Sequence, residues 1–306
     1  MFARYDFTLF LRAVAIVAIV SGHFDFIHVS GGAYYLIALA GYNFMRFLYP
    51  KCGFEQNRVG AITEYGFLKP YYGFVLKIFL PTFLYLCLVY AVLGKFYLAG
   101  LFMFSNFYGH AYTGGISYWF IEVLLQIYVL FSLVLLIGKA RTLLAENSYS
   151  FLFAATIIAY AVALLCQQIW DTEYLYNRLP HLLIYIFFAG ALCYRSDTTK
   201  KRVVTTALVT VLCASEVIHN FGGTFTVFYC GLLLTIWIKE IVFPRVLFVP
   251  VKIIATSTLF IYLCHFQARS LLNKLVSDPA PGLSVLFSLV IGCLFAYLWK
   301  RGSRLF

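Results

Sequence analysis

The chain has 306 residues, 63% of them hydrophobic and only 11% charged, whereas an average soluble domain is about 25% charged. With a mean hydropathy of +0.88, a soluble globular protein is excluded and an integral membrane protein is left. A net charge of +11 would suit nucleic acid, but the basic residues sit in short breaks between apolar runs, as cytosolic loops do, so no nucleic-acid partner is expected.

Apolar runs recur from end to end and leave no room for a separate soluble domain, so 1–306 reads as one helical membrane domain. The first run, Phe7–Val29, carries Arg12 and His23 inside an apolar stretch, about 16 Å apart along a helix. It is too long for a signal-peptide core and no small-residue cleavage site follows, so it is expected to be retained. Ionisable groups in a bilayer core are costly, which marks both residues as functional candidates. Further runs follow at 33–49, 73–94, 116–138, 151–169, 180–194, 203–219, 223–242, 249–275 and 283–299, giving an all-α polytopic protein of about ten transmembrane helices.

Orientation comes from charge. Alternate breaks hold Arg4, then Lys51, Arg58 and Lys69, then Lys139 and Arg141, then Arg195, Lys200, Lys201 and Arg202, then Lys239, Arg245 and Lys252, and last Lys300, Arg301 and Arg304. The opposite side holds only Lys95, Arg178, Arg269 and Lys274. Both termini are therefore expected in the cytosol. The outer connection 95–115 is aromatic and glycine-rich, as a re-entrant or interfacial segment would be. Of the eight cysteines, most lie within apolar runs and none forms a C-x-x-C pair, so neither a disulfide framework nor a metal is expected.

Helix rise sorts the intramembrane charges into two layers. Arg12, Arg46 and Lys77 fall roughly 4–8 Å from the cytosolic boundary, an anion site in outline. His23 and Glu122 both fall roughly 9 Å below the outer boundary and are expected to meet, with Gln126 one turn deeper and His265 in the same half. A histidine beside a carboxylate is equipment for general-base chemistry. The competing readings are cations that snorkel to the interface and a histidine held in an ordinary interhelical hydrogen bond. Asp25, Glu216 and His219 read as solvated near the outer surface, and His28 and His110 as loop residues.

The ordered set of motifs resembles the acyltransferase-3 family of membrane acyltransferases. Arg12 and His23 with ten residues between them resemble its first-span signature, and Gly31-Gly32 followed by Ala40-Gly41-Tyr42 its second. Lys77-Ile78-Phe79-Leu80-Pro81 resembles its third, Trp119-Phe120-Ile121-Glu122 with Gln126 and Tyr128 its fourth, and the stretch Ser257–Phe266 its late Tyr-x-x-His segment. Three positions depart: Leu9 stands where members commonly have an acid, Lys77 alone stands for an arginine cluster, and Ala40 replaces a serine.

The resemblance implies an acyl-CoA-dependent O-acyltransferase of the bacterial inner membrane. It would move an acyl group, most often acetyl from acetyl-CoA, across the membrane to a hydroxyl of a surface glycan or its lipid-linked precursor. His23 takes the position of the family's essential histidine and Arg12 that of its paired arginine. Arg12, Lys77 and Arg46 would hold the CoA phosphates, and Glu122 would fix the imidazole tautomer. Trp119, Gln126, Tyr262 and His265 are candidates for contacting substrate or the oxyanion. Membrane lipid and the glycan are the implied partners, and a homo-oligomer stays open. A glycan flippase without chemistry is the alternative, although no internal symmetry of the kind transporters carry is visible; a binding or scaffolding subunit is a third reading.

Overall fold

The computed structural model describes residues 2–54, 65–112, 117–175, 177–219 and 226–302. Arg58, Arg304 and the side chains of Glu216 and His219 lie outside the described residues. The chain opens with a strand, β1 (Phe2–Asp6), and continues into α1 (Phe7–His23). Helix α2 (Gly32–Asn43) runs on through a π-helical stretch, Phe44–Leu48, and a last turn, Tyr49–Lys51. After α3 (Leu68–Leu93) come a short helix, Leu98–Leu101, and a 3₁₀ segment, Ser105–Ala111. Next are α4 (Trp119–Leu136), α5 (Gly138–Glu146), α6 (Ser148–Ile169), α7 (Pro180–Arg195), α8 (Thr199–His219) and α9 (Thr226–Trp237). The chain closes with β2 (Glu240–Pro244), α10 (Arg245–Thr256), α11 (Thr258–Leu275) and α12 (Pro281–Gly302).

Each apolar run of the sequence carries a helix, and the protein is an all-α membrane protein apart from one strand pair among the described residues. Among the described residues, four helices are long and apolar enough to cross a membrane: Tyr65–Leu93, Trp119–Leu136, Ser148–Ile169 and Pro281–Gly302. The pair α10 and α11 counts as a fifth if taken as one broken span, and α1, α7 and α9 are shorter apolar helices.

Three expected runs depart from their hydropathy, and in one, 223–242, the helix ends at Trp237 and residues 240–242 belong to β2. The run 249–275 is broken by a 78° bend between α10 and α11. Three consecutive hydroxyl residues sit there, and Thr256 Oγ1 and Thr258 Oγ1 donate back to the carbonyls of Lys252 and Ala255, at 2.9 Å each. Such side chains compete with the helical ladder and favour a break. The first helix stops at His23, six residues short of Val29, where Asp25 at φ 55° takes a left-handed conformation that no helix continues through. His23 is thus a helix terminus.

The chain clusters into two compact units, Met1–Leu36 with Thr206–Phe306, and Ile37–Thr205. In the first, α1 packs against α9, α10, α11 and α12, and α11 lies along α12. The strands pair antiparallel, Phe2 opposite Pro244 and Asp6 opposite Glu240, a ladder that apolar periodicity did not announce. Asp6 Oδ1 then caps α1, accepting from the Thr8 backbone N–H at 2.9 Å and its hydroxyl at 2.7 Å.

In the second unit α7 is buried nearly all round, as an all-apolar helix should be, and packs against α4 and α6. A Cβ at Gly41 would overlap the carbonyl of Phe187, and one at Gly190 the carbonyl of Ala38. Glycine at both positions lets the α2 and α7 backbones touch, the small-residue packing expected where lipid removes the hydrophobic driving force. Gly190→Ala should lower stability by roughly 1–3 kcal/mol through overpacking. Gly73→Ala, whose Cβ meets nothing within 4 Å, should not; thermal unfolding of the two variants in detergent compares them.

Candidate active site

The first unit gathers two of the sequence candidates. His23, the last residue of α1, places Nδ1 2.8 Å from Nε2 of His265 on α11, and the two rings stack with centroids 5.0 Å apart. His265 is 1% exposed, whereas His23 is exposed. Its own Nδ1 lies 2.7 Å from the carbonyl of Tyr262 one helical turn earlier. Phe266 flanks both imidazoles, at 5.0 Å from His23 and 4.2 Å from His265.

From α12, Ser288 Oγ donates to the His265 carbonyl at 3.2 Å. Arg269 Nη1 donates to the His23 carbonyl at 3.3 Å, and its guanidinium lies 4.7 Å above the Phe24 ring. A cation at that carbonyl complements the negative end of α1. Three helices thus fix the histidine pair.

The second unit gathers a different set. Glu122 on α4 is 1% exposed, yet both its oxygens are satisfied: Ser105 Oγ donates to one at 2.6 Å and the Asn106 backbone N–H to the other at 2.8 Å. Gln126, one turn on, donates from Nε2 to the Met103 carbonyl at 2.7 Å and to Asn106 Oδ1 at 2.8 Å. Asn106 Nδ2 is 2.9 Å from Gln126 Oε1 and 2.9 Å from the Arg178 carbonyl. The Arg178 guanidinium covers the Trp119 ring at 4.7 Å. A buried carboxylate and two carboxamides without such partners would each cost kilocalories.

Residues 65–300 match the acyltransferase 3 family, described as an acyltransferase domain. The chain belongs to the acyltransferase 3 family. The matched residues hold Lys77, Trp119, Glu122, Gln126, Tyr262 and His265, while Arg12, His23 and Arg46 precede them. No curated protein and no solved structure matches the chain.

The remaining candidates of this membrane acyltransferase are spread over its elements. Arg12 is half-buried in the second turn of α1. Arg46 is half-buried in the π-helical stretch, with its guanidinium 4.9 Å from the Phe47 ring, and Lys77 is exposed on α3. An apolar groove of about 340 Å³ follows one face of α1, from Phe10 through Ala13, Val17 and Ala18 to Ser21, walled on the far side by Val251 and Ile254 of α10. Among the described residues no three His, Cys, Asp or Glu side chains come together as a metal site would need.

Sequence reading of this acyltransferase missed Ser105, Asn106, Arg178, Arg269 and Ser288. Ser105-Asn106 was detectable as the only polar pair in the stretch LFMFSNFY of the acyltransferase; the others carry no local signal. Both N–H groups of Gln126 and both ring nitrogens of His265 are engaged in bonds inside their own units, which leaves neither a spare donor for an oxyanion. Asn106→Ala should strand the Gln126 amide and cost about 1–3 kcal/mol, seen as a lowered melting temperature in detergent and faster proteolysis around Phe104–Tyr108.

Proposed function

We propose that this acyltransferase transfers an acetyl group from acetyl-CoA to a hydroxyl of a cell-surface glycan or its lipid-linked precursor, with His23 as general base. The single observation that carries the reading is the His23 imidazole, set at the end of α1 and hydrogen-bonded through Nδ1 to the buried His265, in a chain of an acyltransferase family. Aligned imidazoles of this kind accept a hydroxyl proton and return it to a leaving group near neutral pH.

The acyl donor supplies the thioester. Arg12 offers the charge its phosphates require, and α1 sets the distance between that cation and His23 at eleven residues, about 16 Å of helix. Nε2 of His23 takes the proton of the acceptor hydroxyl as its oxygen attacks the thioester carbon, and then returns it to the departing thiolate. The alternating Lys and Arg pattern supports ten crossings with both termini in the cytosol of a bacterium, so that the acceptor is met at the outer face of the inner membrane.

His23→Ala, expressed at the wild-type level in vesicles with labelled acetyl-CoA, should lose about 10²–10⁴-fold in transfer to the acceptor; wild-type transfer would remove the histidine from the chemistry. Release of CoA in the same assay separates an acyltransferase from a flippase, which consumes no thioester. Arg12→Ala should raise KM for acetyl-CoA roughly 10–100-fold, the loss expected for one charged hydrogen-bonding partner. An unchanged acetyl-CoA dependence would take Arg12 out of the donor site.

A further inference from the structure

The bond between His23 and His265 has a direction. A backbone carbonyl only accepts, so the 2.7 Å contact of His265 Nδ1 with the Tyr262 carbonyl requires the proton on that nitrogen. The other nitrogen of a neutral imidazole, Nε2, then carries a lone pair. His265 is 1% exposed, and its ring neighbours are Phe24 at 6.0 Å, Tyr262 at 5.7 Å and Phe266 at 4.2 Å. The rings offer nothing to balance a second proton, and Arg269, bonded to the His23 carbonyl, is itself a cation. The 2.8 Å contact is therefore donated by His23 from Nδ1. The lone pair of His23 is left on Nε2.

We propose that His265 is a positioning residue for acyl transfer: the chain from the Tyr262 carbonyl through His265 to His23 holds the tautomer in which Nε2 of His23 is the base. Sequence reading gave this task to Glu122, whose oxygens instead receive Ser105 and Asn106. A neutral imidazole thus does for His23 what a buried carboxylate does in a serine hydrolase triad, where a wrong tautomer costs about 10⁴-fold. In the step itself the acceptor O–H proton moves to His23 Nε2 as the new C–O bond forms. The C–S bond breaks, and the sulfur leaves with that proton as free thiol. Throughout, the His23 Nδ1–H stays on the His265 lone pair.

The inference rests on His23 being the base, and its test separates the two. Histidines labelled with ¹⁵N in the detergent-solubilised protein report which nitrogen is protonated, with His23 assigned by its loss in His23→Gln. Wild type should show a protonated Nδ1 at His23, and His265→Phe, which keeps a flat ring without an acceptor, should move that proton to Nε2. The same Phe variant should lose roughly 10²–10⁴-fold in kcat with KM for acetyl-CoA within about twofold. His265→Gln, whose amide oxygen can accept from His23, should recover most of the loss. A wild-type His23 protonated on Nε2, or a Phe variant with undiminished kcat, overturns the positioning role and leaves the base untouched. Should His23→Ala keep activity, the base reading falls, while the spectrum still decides the tautomer.

Discussion

Burial in an apolar helical protein makes a polar group costly unless another part of the chain answers it. That requirement organises both units. Glu122 is answered by the segment 103–106, which is drawn onto α4 in consequence. His265 is answered on one side by its own helix and on the other by α1. Contacts of this kind determine where an otherwise interchangeable apolar element lies.

Around these contacts the packing follows lipid rules. Gly41 and Gly190 each admit the other helix's backbone, and Gly292 does the same for Ile261 of α11. Aromatic side chains fill what remains: Phe44, Phe131 and Phe187 meet at centroid distances of 5.1–6.0 Å. Large rings supply contact area at low entropic cost and suit the irregular spaces between helices.

Hydropathy placed a helix within each apolar run but did not mark α5, and the spacing of Arg12 and His23, with the later motifs, pointed to the family that residues 65–300 match. Ends and partners were less legible. Val29 looks as apolar as Val20, yet the backbone turns at Asp25, and hydropathy is blind to φ. The bend at Ser257 hides within continuous apolar sequence for the same reason. Depth placed His23, Glu122 and His265 in one layer. A depth does not name a partner: within its own unit His23 lies against His265, and within its own Glu122 accepts from Ser105. The strand pair was invisible because two five-residue segments, Phe2–Asp6 and Glu240–Pro244, so far apart in the chain have no periodicity that refers to each other.

That strand pair and the histidine pair share a property with a consequence for biosynthesis. Phe2 waits for Pro244, and His23 waits for a residue 242 positions later. At roughly 5–20 residues per second of elongation, α1 exists for tens of seconds before either neighbour has been made. A ribosome-bound chain therefore carries its imidazole without the group that orients it, and competence arrives only with the final helices, late enough that a truncated product would be inserted yet inert.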